Sequence, residues 1–135
     1  MRKIKFRGKC RVGGKWYFGD LFHFKDSNGI EDGTLGIDDS EAIIEILPET
    51  VGEFTGLQDA DGKDIYEGDI VLFYGFGRTI LNVHFENSAF GVGGKNGLPK
   101  RAGDAFTLLS DLVKVEKVYV VGNIHENPEL LEGVD

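Results

Sequence analysis

No apolar run in this chain is longer than the five residues Ile70 to Tyr74, and twenty glycines are spread through its 135 residues. That glycine share is about twice the usual ~7%. Runs this short cannot span a bilayer, which takes ~20 apolar residues. Short strands separated by turns are the structure such a sequence suits. The glycines follow no fixed period and come with only three prolines, so neither a collagen-like nor a repeat architecture fits. At 41% hydrophobic and 28% charged residues, the chain is apolar enough to build a core without a disulfide, and its single Cys10 cannot form an internal one. The basic start, Met1 to Arg7, is not followed by an apolar stretch of roughly 7–15 residues, so no secretory signal is expected and the cytoplasm is the expected compartment.

Period-two alternation places the elements. Ile4 and Phe6, then Cys10 and Val12, are expected on one apolar face, with Lys3, Lys5 and Arg7 on the wet face of an edge strand. Gly13-Gly14-Lys15 reads as a hairpin turn into Trp16-Tyr17-Phe18, and Leu21-Phe22-His23-Phe24 extends this first meander. Residues 25–40 are acidic and rich in turn formers, the pattern of a mobile loop. Ser40 to Leu47 could begin a helix on its serine, but its three isoleucines and Pro48 favour a strand. Glu53 to Leu57 and Ile65-Tyr66 make a hairpin around Asp61-Gly62, because glycine accepts φ > 0 without steric cost. Asp69 to Tyr74 reads as a central strand. Thr79 to Glu86 reads as a half-buried one, with Leu81, Val83 and Phe85 opposite Asn82, His84 and Glu86. Val113 to Glu116 alternates again, and a phase slip into Val118-Tyr119-Val120-Val121 suggests a bulge or bend. Asn127-Pro128-Glu129-Leu130-Leu131 has an N-cap residue, a first-turn proline and an acid near the positive pole, which predicts a short helical turn docked by its leucines. The expectation is an all-β protein forming a single compact β domain over residues 1–135, with an N-terminal β lobe over about 1–48.

The net charge of −8 hides a division along the chain. Residues 1–15 carry seven basic side chains and no acid, whereas residues 16–69 carry fifteen acids against Lys25 and Lys63. Such asymmetry can mark a nucleic-acid arm, or an oligomer in which the basic segment of one copy meets the acidic segment of another. The candidate contact residues are Lys3, Lys5, Arg7, Lys9, Arg11 and Trp16. Trp16-Tyr17-Phe18 could stack bases while the cations hold phosphate, although aromatics in a short strand more often belong to a core and the acidic segment would repel a polyanion.

The chemical motifs fail on spacing. Counted from Asp59, an EF-hand loop needs glycine at position six and glutamate at twelve, but here glycine is fourth and the twelfth residue is Ile70. Gly91-Val92-Gly93-Gly94-Lys95-Asn96-Gly97 lacks the glycine a phosphate loop needs at position 89 and the hydroxyl residue it needs at 96, and reads as a connector between strands. His23, His84 and His125 show no paired metal spacing, Cys10 alternates with Val12 on an apparently buried face, and no serine sits in a nucleophile elbow. No catalytic, cofactor or metal residue is singled out.

Four blocks, in order, resemble the YopX-like family of bacteriophage and prophage proteins: Arg2 to Arg7, Val51 to Asp59 with Asp61-Gly62-Lys63, Ile65 to Val71, and Val121 to Leu131. Residues 20–48 and 87–108 carry no correspondence. The resemblance implies an all-β protein with a small SH3-type barrel over about 49–135, around Glu67-Gly68-Asp69-Ile70-Val71, and implies no activity. The aspartates of these blocks, Asp59 and Asp69, are expected to accept backbone N–H bonds at turns. The expected function is that of a non-enzymatic accessory protein working by protein–protein contact, as a homo-oligomer or with a host or phage protein. The alternatives are a nucleic-acid-binding barrel using the basic arm and an acidic decoy for a host nucleic-acid-binding protein.

Overall fold

The computed structural model describes residues 3–75, 77–93 and 106–131. Arg2 and the Gly94–Gly97 part of the glycine-rich connector lie outside the described residues. Among the described residues the fold is mostly antiparallel β with one short α-helix, and the chain divides into two compact units, Met1–Phe54 and Thr55–Asp135. Among the described residues, no helix is long and apolar enough to cross a membrane.

In the first unit, β1 (Phe6–Lys9) and β2 (Trp16–Lys25) form a hairpin in which Lys9 pairs with Trp16. Its turn needs left-handed backbone at Gly13 and Gly14, where φ is 87° and 69°. β3 (Glu31–Asp38) pairs with β2, and β4 (Ile43–Ile46) pairs with β3. Residues 31–38 therefore correct the expectation of a mobile loop over 25–40. Asp26 Oδ1 accepts the N–H groups of Asn28 and Ile30 and fixes the turn, and Leu35 and Ile37 then face inward from an otherwise acidic strand. Within Ser40 to Leu47 the strand is Ile43–Ile46, as the isoleucines predict, with Ser40 in the turn before it and a 3-10 turn at Pro48–Thr50 after it.

β5 (Gly52–Gln58) begins beside β1, so β1 lies between β2 and β5 and is no edge strand. The expected wet face holds at Lys3, which is exposed, but fails at Arg7, which is only 8% exposed, and the expected apolar face fails at Ile4 and Val12, which are 64% and 81% exposed. Cys10 is half-buried rather than sharing a buried face with Val12. The sheet curls until β4 returns to β1. Leu47 N–H donates to Lys9 O at 2.9 Å, and Cys10 bridges to Ile46. Gly8 permits this return, because a Cβ there would run into Ile46 Cδ1. Ile37 and Ile46 are fully buried and Phe54 nearly so.

In the second unit, the end of β5 pairs with β6 (Asp64–Tyr66), the predicted hairpin. β7 (Asp69–Phe73) is central as expected, flanked by β8 (Thr79–Asn82) and β12 (Tyr119–Asn123). A second sheet holds β9 (His84–Glu86), β10 (Ala89–Val92) and β11 (Thr107–Leu108). The stretch read as one strand, Thr79 to Glu86, is thus two strands in two sheets. Asn82 and Val83 are both buried at the junction, which breaks the alternation and leaves Phe85 half exposed.

Val113 to Glu116 is corrected more fully, since α1 (Leu109–Val115) occupies this region. Leu109, Leu112 and Val113 recur at helical spacing and pack on a core of Ile65, Val71, Leu81, Val83, Val92 and Val118. The phase slip lies inside β12, between Val120 and Gly122 where they pair with β7. Pro128–Leu131 forms the expected helical turn, of 3-10 type. Asn127 O accepts the Leu130 N–H at 3.0 Å to close that turn, and Asn127 Oδ1 accepts the N–H of Asn123 at 3.2 Å.

Candidate functional site

The first unit carries an open trough of about 320 Å³. Its floor is Phe18-Gly19-Asp20 of β2. One wall is Lys3-Ile4-Lys5, the segment that leads into β1, and the other is Asp38-Asp39-Ser40, where β3 turns toward β4. Because β2 lies between β1 and β3 in the sheet, the cationic and acidic walls stand on opposite sides of the floor. Gly19 keeps the floor low: a Cβ there would strike Asp38 O. Phe18 is 47% exposed and adds an apolar surface beside Ile4.

The charges are held in place. Lys5 Nζ lies 5.0 Å from the centroid of the Phe54 ring. Asp38 Oδ1 accepts the Ser40 N–H, and Asp39 Oδ1 accepts those of Glu41 and Ala42 at 3.0 Å each. The N–H groups of Ala42 and Glu41 hold the Asp39 carboxyl below the usual carboxylate range. Ser40 adopts φ 76° inside this turn, a conformation the two aspartates stabilise by local hydrogen bonds.

The basic arm is divided among separate tasks. Lys3 and Lys5 line the trough. Arg7 turns inward, its guanidinium carbon 5.0 Å from the Trp16 ring. Lys9 serves the β1–β4 return through its backbone, with its N–H also donating to Thr50 Oγ1 at 2.9 Å. Arg11 pairs with Glu45 at 2.8 Å, with both side chains about half exposed. The sequence offers Phe18 only within an aromatic group that could stack bases, and nothing local singles out Asp20, Asp38 or Asp39. The signal available for the aspartates was the acidic excess of residues 16–69, whose place opposite the lysines depends on the strand order.

Asp59, by contrast, is structural. Its Oδ1 accepts the N–H groups of Asp61 and Lys63 at 2.9 Å, and its Oδ2 accepts that of Val120 at 3.0 Å. Burial pushes this carboxyl up, but the three N–H donors, helped by the Lys63 charge, outweigh it and hold the group below its ordinary value. Asp69 Oδ2 likewise accepts the Tyr66 N–H at 2.8 Å. Both aspartates do what the sequence predicts, and the first ties the β5–β6 turn to β12.

The described residues hold no group of three or more His, Cys, Asp and Glu side chains placed to bind a metal. His84 pairs with Glu86 at 3.1 Å and stands edge-on to Phe106, with ring centroids 5.3 Å apart.

The family described as "YopX protein" matches residues 5–132, which takes in most of both units, the last three sequence blocks whole and Lys5 to Arg7 of the first. The chain belongs to the YopX family. No curated protein matches it. The crystal structure of protein EF1440 from Enterococcus faecalis is similar in fold to this YopX-family chain, with a TM-score of 0.59 at 23% identity, covering 98% of this chain and 100% of that one. The likeness extends to the fold over nearly the whole of both chains.

Proposed function

We propose that this YopX-family protein is a non-enzymatic phage or prophage accessory protein that acts through protein–protein contacts, as a homo-oligomer in the cytoplasm of the host cell. The observation that carries this reading is the trough, where lysines and aspartates surround the exposed Ile4 and Phe18. Mixed charge around apolar side chains suits another protein surface. A nucleic acid would meet Asp20, Asp38 and Asp39 beside the lysines, and Trp16 already has Arg7 over its ring. We further infer an SH3-type barrel in the second unit; the resemblance around Glu67 to Val71 and the succession of short antiparallel strands from β5 to β12 support it.

Light scattering over a concentration series, at ~50 mM and at several hundred millimolar salt, tests the proposal. A mass above that of one chain supports it, and a monomer throughout overturns the oligomer. Fluorescence anisotropy with single- and double-stranded DNA and RNA at ~50 mM salt is expected to stay flat. A rise that collapses on adding salt would favour the nucleic-acid reading instead.

A further inference from the structure

Resting on the reading that copies of this chain associate, we propose that the trough of the first unit is the contact itself: an isologous, two-fold site in which the Lys3–Lys5 wall of each copy meets the Asp38–Asp39 wall of the other. A two-fold contact sets one patch against its own image, so the patch must be complementary to itself. With the axis lying along the trough, each wall faces the opposite wall of the second copy, and the charge pairing forms twice. The floor lies near the axis, where Phe18 meets the second Phe18 and Ile4 is covered. Hydrogen bonds already fix Asp38 and Asp39 in their turn, so little ordering is needed when a partner arrives.

The size of the patch sets the strength. Nine residues line the trough, whereas a stable interface uses about 20–30 on each side. The dimer is therefore weak, with a dissociation constant that is micromolar or higher. Its charged rims make it sensitive to salt.

The test is a charge exchange followed by sedimentation velocity and light scattering on the full chain. The variant K3E/K5E and the variant D38K are each expected to associate at least about tenfold more weakly than the wild type, and a mixture of the two is expected to regain association, because each reversed wall then finds its opposite. Asp38→Lys also removes the bond to Ser40 N–H, so Asp38→Asn, which keeps an acceptor there, serves as the milder variant, with circular dichroism checking the fold of each. Wild-type association that all these variants leave unchanged would overturn the trough as the contact while leaving the homo-oligomer standing. A wild type that stays monomeric, or whose trough retains a charged peptide or an oligonucleotide in place of a second copy, would overturn both.

Discussion

At the scale of single residues, the buried carboxylate of Asp59 and the bare Cα of Gly8 decide more than any exposed charge. Asp59 satisfies three backbone N–H groups on two separate segments. Asp59→Ala leaves them without that acceptor, so a loss of about 2–4 kcal/mol is expected in urea denaturation. The folded carboxyl titrates below its ordinary value of 3.8. Its contribution is therefore complete above that value and is lost as pH falls through the lower, folded one. Unfolding free energies measured between about pH 5 and pH 2 should drop more steeply for the wild type than for Asp59→Asn. Gly8→Ala places a methyl group against Ile46 Cδ1 in a fully buried site, and a cost of about 1–3 kcal/mol is expected in the same assay. The turn role of Asp59 was legible, because Asp-x-Asp-Gly announces a turn. The role of Gly8 was not, because its neighbour Ile46 is thirty-eight positions away.

Among the elements, the helix shows how tertiary packing overrides a short pattern. α1 has only seven residues, too few to be stable in water by itself. It forms because Leu109 and Leu112 seal the core of the second unit. Leu112→Ala is expected to cost about 2–5 kcal/mol, whereas Val115→Ala, at a position 76% exposed, should stay within about 0.5 kcal/mol. Equal losses at the two positions in chemical denaturation would contradict this packing. The alternation of Val113 and Val115 with Lys114 and Glu116 is real, but Leu109 and Leu112 upstream set the period that the packing uses. The hairpins were easier to read, since glycine and aspartate turns act over four or five residues. The β9–β10 turn shows the same local chemistry, with Asn87 and Ser88 both at positive φ. A strand such as β3 has no equivalent local mark. Its acids read as loop until β2 and β4 supply hydrogen-bond partners on both sides.

For the whole molecule, net charge and local charge work against each other. A chain at −8 repels its copies over long distances, while the trough attracts them on contact. As pH falls toward the isoelectric point of about 4.8, the repulsion disappears, while Asp39 of the trough, held below the ordinary carboxylate range by the Ala42 and Glu41 N–H groups, keeps its charge. Sedimentation should therefore show stronger association near pH 5 than at pH 8, with a smaller gain in K3E/K5E than in the wild type. An equal gain in both would mean that the loss of net charge alone drives it. The sequence by itself determined the all-β class, most turns, the central β7 and the family, because alternation and glycine–aspartate turns are local instructions that need no distant partner. Tertiary structure decided that Arg7 turns inward, that α1 is helical, and that the basic segment comes to face the acidic one across β2. The physical reason is that strand order and burial depend on which remote segments supply hydrogen bonds and apolar cover, and a local pattern does not encode those partners.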